Sequence, residues 1–217
     1  MSDDNEKIAS LLRGTNPAIW AIVFICVAIE TVLTLSDWGV LFSTSLRFRV
    51  YEYAGFWSGL LGDWNPNYPL QPYTMFLTYG FLHAGLGHLA VNMITLVTAG
   101  NLVVDRVGTK GFLILYSVSI VGGGIGYGLL APTLAPMVGA SGALFGLVGG
   151  LLAWSYIDRF NLNEALWPVA RAALFLVGLN LVLWWAMDGQ LAWQTHLGGF
   201  IAGWIGALLI DPRPIEE

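Results

Sequence analysis

Charge is what this chain has least of. Asp, Glu, Lys and Arg make up 11% of its 217 residues against 56% hydrophobic, and the mean hydropathy is +0.68. So few charges cannot coat a soluble globule of this size, which excludes a water-soluble domain and points to an integral membrane protein. Basic clusters are also lacking. With a net charge of −5, that excludes nucleic acid and strong anionic-lipid binding as partners, leaving the lipid bilayer itself. Cysteine occurs once, as Cys26, so there is no disulfide framework from which a redox compartment could be read. There is no HExxH, no cysteine partner for the three histidines, and His83 and His88 miss the i, i+4 ligand spacing. Neither a metal nor another cofactor is therefore expected. The internal repeat and paired intramembrane charges of a small transporter are absent too. The first apolar run is long, follows a tail with Asp3, Asp4 and Glu6, and shows no cleavage pattern, so it is expected to be a membrane span rather than a signal peptide.

Long hydrophobic runs are what the chain does have. A span needs about 20 apolar residues with every backbone group bonded inside the helix, and six stretches meet this need. They start and end near Pro17 and Ser36, Leu82 and Val103, Phe112 and Leu130, Ala140 and Tyr156, Leu166 and Met187, and Trp193 and Ile210. The expected fold is an all-α, six-transmembrane-helix bundle with one long first loop, from Asp37 to Pro72. In that loop, Tyr51 to Trp57 mixes aromatics with charge and suits the membrane interface, while Asp63 to Pro72 reads as turns. The chain thus divides into a cytosolic tail of residues 1–16, a six-span domain of residues 17–211 and a cytosolic tail of residues 212–217. A cytosolic N-terminus leaves Lys7, Arg13, Arg106, Lys110, Arg159, Arg171 and Arg213 inside and only Arg47 and Arg49 outside, as the positive-inside rule requires. Most of the ten tryptophans fall near span ends as an interfacial belt. Glu30, well inside the first span, calls for a partner, with Thr31 and Thr34 nearby.

All three histidines sit in or beside these spans, where ionisable groups default to a functional reading. The topology carries His83, His88, Ser141 and His196 to the starts of the second, fourth and sixth helices, hence toward one outer side. His88 and Asn92 share a helix face, with His83 turned away from it. A serine needs a base to become nucleophilic, and a histidine near neutral pKa is the natural one. Ser141 would attack and His196 accept its proton. The oxyanion would be held by the amide at the helix start and by His88 and Asn92. Gly139 and Gly142 keep Cβ atoms away from an approaching substrate backbone. No carboxylate is placed to orient His196, since Glu30 lies deep in the first span and Asp188 follows the fifth, which favours a dyad.

The residues His83 to Asn92 (HAGLGHLAVN), Gly139-Ala140-Ser141-Gly142 with Phe145-Gly146, and His196 with Gly199 and Gly203 closely resemble the rhomboid family of intramembrane serine proteases. The resemblance spans roughly Pro17 to Asp211. It implies Ser141 as nucleophile, His196 as base, and His88, Asn92 and the Ser141 amide as oxyanion hole. It also implies Phe145 packing on the histidine, and Gly199 and Gly203 admitting close contact between the sixth and fourth helices. The implied substrates are transmembrane helices of other proteins, cleaved near their outer ends. It further implies that the fifth helix moves aside to admit substrate, with Trp184-Trp185 near the opening. Two places depart from the family's habits. A Trp-Arg pair common in the first loop is replaced by the stretch Gln71 to Met75, and a glutamate before the basic residue of the second loop is replaced by Asp105-Arg106. The competing expectation is a catalytically silent relative that binds transmembrane helices, for which loss of Ser141 or His196 would be the mark. A bacterial plasma membrane is the simplest location. Natural substrate and oligomeric state leave no trace in the sequence.

Overall fold

The computed structural model describes residues 14–131 and 135–210. Residues 1–13 and 212–217, which hold most of the two expected tails together with Lys7, Arg13 and Arg213, lie outside the described residues. Among those described, regular structure is helical, apart from one antiparallel bridge between Phe56 and Met137.

Helix α1 (Pro17–Asp37) begins where Asn16 accepts the Ala18 amide at 2.9 Å and Pro17 fills a position that needs no N–H donor. The same asparagine donates to Thr109 Oγ1 at 2.8 Å, pinning the start of α1 to the middle of the next long helix, residues 86–130. The first loop folds into α2 (Leu46–Ala54), a 3-10 turn (Ser58–Leu61) and α3 (Gln71–Thr78). Gln71, in the stretch that departs from the family's habit, is buried and bonds the Asn67 amide and the Glu52 carbonyl, so it knits this loop together. Tyr73 in the same stretch is exposed.

Helix α4 (Leu86–Leu130) is 45 residues long but is not one rod, because Gly108 has φ +73 and ψ 176 inside it. In a straight helix Gly100 and Phe112 would lie about 18 Å apart. Here a Cβ on Gly100 would approach the Phe112 ring at 3.3 Å, so the chain doubles back into limbs 86–107 and 109–130. These correspond to the expected second and third spans, and glycine is what the left-handed backbone at the break requires. Helices α5 (Ser141–Asn161), α6 (Trp167–Ala186) and α7 (Trp193–Leu209) complete the bundle. Among the described residues, α1, α4 and α6 are the helices long and apolar enough to cross a membrane by length and composition.

The core lies between both limbs of α4, α5 and α7, with Leu96, Phe112, Leu115, Ile120, Leu147 and Trp154 fully or almost fully buried. Glycine makes that packing possible at one place above all: a Cβ on Gly199 or Gly203 would collide with the carbonyl oxygens of Gly142 and Gly146, so α7 lies directly on the α5 backbone. The Gly122-Gly123-Gly124 run is helical and serves close contact rather than a turn. By contrast, Val169 is the sole buried residue of α6.

Arg47 and Arg106 brace the bundle through ion pairs. Glu30, fully buried in α1, takes Arg47 of α2 at 2.8 Å and the Thr34 hydroxyl at 3.1 Å, whereas Thr31 bonds its own helix. Burial opposes the Arg47 charge, but Glu30, Tyr51 and Asp37 outweigh it and hold the guanidinium ionised. Removing one partner of a buried pair strands the other. Arg47→Ala is expected to cost about 3 kcal/mol and lower the thermal midpoint in detergent. Glu30→Gln should cost less, because Asp37 still faces Arg47 at 2.6 Å; the reverse order would contradict this account. At the other end, Arg106 makes a two-pronged bond to Asp158 of α5, both contacts at 2.8 Å. That carboxylate, and not the neighbouring Asp105, is the acidic partner of the second-loop arginine.

Candidate active site

The approach to Ser141 is built by backbone. Phe56 and Met137 exchange two backbone hydrogen bonds, of 3.0 and 2.9 Å, and the Gly139 amide donates to the Tyr79 carbonyl at 3.0 Å. Tyr79 is itself fully buried and anchored by its hydroxyl to the Ile120 carbonyl at 2.7 Å. The first loop and α4 therefore fix the segment that delivers the serine. Gly139 has φ +131, and a Cβ there would press on the His88 ring at 2.7 Å, so neither the backbone nor the space tolerates a side chain. Ser141 is the first residue of α5, and the Leu144 amide is bonded to the Ala140 carbonyl. The Ser141 amide thus belongs to the unsatisfied donors at the positive end of a helix.

His196 comes from the first turn of α7 and is 6% exposed, whereas Ser141 is half-buried. The His196 Nε2 lies 2.9 Å from Ser141 Oγ. The Phe145 ring, one turn on from Ser141, stacks on the imidazole with centroids 4.1 Å apart and planes 7° from parallel. Close contact of Gly199 with Gly142 sets the distance between the two helices that carry the pair.

His88 and Asn92 border Gly139 from α4: its Cβ position would be 3.0 Å from His88 Nε2 and 3.6 Å from Asn92 Nδ2. The Ala84 amide donates to His88 Nδ1 at 3.3 Å, which puts the ring proton on Nε2, the nitrogen facing Gly139. Asn92 is buried and its Nδ2 has no hydrogen-bond partner among the described residues. Two donors thus face the segment immediately before the serine. His83 stands outside this group. It is fully buried with its ring edge-on to His88, centroids 5.3 Å apart, and its carbonyl accepts from Arg47 and the Tyr51 hydroxyl at 2.8 and 2.6 Å. Burial pushes the Tyr51 phenol up, so it remains a donor there. His83 is a link between the site and the buried ion pair. Among the described residues no cluster of His, Cys, Asp or Glu is disposed to hold a metal.

One contact was not anticipated from sequence. Asn180 of α6 places Oδ1 2.6 Å from His196 Nδ1. Its only sequence signal is an amide in an otherwise apolar run, LVGLNLVLWW, and that pattern does not name a partner. Beside this contact α5, α6 and α7 line a half-open, largely apolar cavity of about 550 Å³ whose lining includes Phe145, Val177, Asn180, Trp184, Trp193 and His196. Trp184 and Trp185 are both exposed, but of the two only Trp184 is among the lining residues.

Residues 70–213 match the Rhomboid domain family. The chain is 32% identical over 131 residues to Rhomboid protease GluP of Bacillus subtilis, covering 60% of this chain and 25% of that protein. It is 32% identical over 123 residues to Rhomboid-like protease 3 of Toxoplasma gondii, covering 57% and 46%, and 32% identical over 139 residues to RHOMBOID-like protein 4 of Arabidopsis thaliana, covering 64% and 34%. The matched region spans between a quarter and about half of the length of these relatives.

Proposed function

Since the chain belongs to the rhomboid family, we propose that it is an intramembrane serine endopeptidase that hydrolyses peptide bonds in or near the transmembrane helices of other membrane proteins. The observation that carries this reading is the 2.9 Å approach of His196 Nε2 to Ser141 Oγ, at a helix start bordered by His88 and Asn92.

In the proposed reaction Ser141 Oγ attacks the substrate carbonyl carbon while its proton passes to His196 Nε2. The carbonyl oxygen becomes an anion held by the Ser141 amide, His88 Nε2–H and Asn92 Nδ2–H, donors already in place before the charge develops. Collapse breaks the C–N bond as the imidazolium returns its proton to the leaving amine. Water, giving a proton to His196, then attacks the acyl-serine and restores the enzyme. A catalytic unit of six spans, residues 17–211, would carry both termini in the cytosol and open this site toward the outer side of a plasma membrane, simplest as a bacterial one. The half-buried Ser141 and His88 support access of water from that end.

A fluorophosphonate that reacts only with activated serines tests the proposal. Detergent-purified wild type should be labelled, and Ser141→Ala and His196→Ala should not. An unlabelled but folded wild type would favour the silent, helix-binding relative. Asn92→Ala removes one oxyanion donor of three, so it is expected to slow cleavage by about 10²- to 10³-fold, less than Ser141→Ala. Equal and complete loss at unchanged thermal stability would remove Asn92 from this role.

A further inference from the structure

The base at the centre of the site has a partner that the reaction above does not use. Resting on that serine-protease reading, we propose that Asn180 is a positioning residue for His196: its side-chain oxygen keeps the ring proton on Nδ1 and so leaves Nε2 free to accept the proton of Ser141.

Three observations lead here. Oδ1 of Asn180 lies 2.6 Å from Nδ1, and its Nδ2 donates to the Leu176 carbonyl at 2.9 Å, so the amide orientation is set from behind and the oxygen must face the ring. Second, Phe145 stacks flat on the imidazole, which fixes the ring plane but cannot choose between the two nitrogens, because an apolar face binds both tautomers alike. The choice is left to whatever lies in the plane, and there Nδ1 has Asn180 while Nε2 has Ser141. Third, α6 has little other reason to hold an amide at this place. Val169 is its sole buried residue, and Asn180 makes its only side-chain hydrogen bond to another element among the described residues. A polar group on an apolar membrane helix is costly unless it is used.

Without Asn180, Nδ1 would face the apolar walls of the cavity. The imidazole would then gain more by placing its proton on Nε2 and donating to Ser141 Oγ, which is the tautomer unable to act as base. Among the described residues, the groups facing His196 are Ser141 and Phe145 of α5, Asn180 of α6 and, farther off, His88 of α4, and none of them carries a fixed charge. An amide is thus the only group here that marks one nitrogen.

The test uses the full chain in detergent. Three histidines make a 15N-histidine spectrum assignable with His83→Gln and His88→Gln variants. In wild type the His196 proton should sit on Nδ1, and in Asn180→Leu it should move wholly or partly to Nε2. The fluorophosphonate labelling rate of Asn180→Leu should fall roughly ten- to hundredfold, the scale expected when a base survives but loses the group that orients it. Asn180→Asp keeps the acceptor and adds a charge, so labelling should persist with its pH midpoint raised by about one to three units. Unchanged tautomer and labelling rate in Asn180→Leu would overturn the proposal. Should Asn180→Leu fail to fold, the wild-type His196 tautomer decides: a ring proton found on Nε2 would overturn the proposal. If wild type takes no label, the protease reading fails by itself, and the His196 tautomer in wild type against Asn180→Leu still decides the role of Asn180.

Discussion

Ser141→Ala is expected to lower cleavage of a single-span reporter protein by on the order of 10⁴-fold or more, to the same floor as His196→Ala and the double variant. The equality matters more than the size. Nucleophile and base act as one unit, so once either is gone the other contributes nothing and only the oxyanion donors and substrate binding remain. Ser141 is half-buried and its hydroxyl's one described bond is to His196, so the thermal midpoint should scarcely move, within about 0.5 kcal/mol. Cleavage that survives Ser141→Ala in a protein free of contaminating protease would sink the serine mechanism. Cleavage lost together with the fold would leave the fluorophosphonate comparison to decide it.

Gly199→Val should have the largest structural effect. Its Cβ would run into the Gly142 carbonyl oxygen, which is backbone at the first turn of α5 and cannot turn aside as a flexible side chain would. Relief requires α7 to back away from α5, at a cost of about 1–3 kcal/mol or more for overpacking. The same retreat separates His196 from Ser141, because the two residues ride on these helices. We therefore expect a lowered thermal midpoint together with loss of fluorophosphonate labelling. Gly178→Ala on α6 is the control: nothing lies within 4 Å of its Cβ position, and alanine is the better helix former, so stability and labelling should hold or improve slightly. Equal damage from both substitutions would show that the effect has nothing to do with the α5–α7 contact.

The long apolar runs and the family could be read because both depend on patterns that are local in sequence. A span is a continuous stretch, and the motifs around His88, Ser141 and His196 are short and ordered along the chain. Gly199 and Gly203 were legible for the same reason, as part of the short motif after His196 that resembles the family's. Helix ends were legible only approximately: α5 runs on to Asn161, beyond the expected end at Tyr156, because Arg159 and Asp158 find partners outside the apolar stretch. Pairings between distant segments were not legible. Glu30 called for a partner, but nothing in its neighbourhood identified Arg47, 17 residues away in a loop. Asp105 stood beside Arg106 in sequence, yet helix geometry turns adjacent residues apart and hands the arginine to Asp158, 52 residues on. Asn180 is the clearest case, because a lone amide has no spacing to interpret.

By itself, then, the sequence determined the solvent, the helical architecture, the family and the order in which candidate groups appear along the chain. Those properties follow from composition and from period along a single segment. Tertiary structure alone decided the 2.9 Å between Ser141 and His196, the doubling back of α4 at Gly108, and the amide of α6 on the far nitrogen of the histidine. Each of these is a contact between backbones or side chains remote in sequence. Its distance is set by how closely glycine lets two helices approach and by where a helix must break, and neither quantity is written in any one segment.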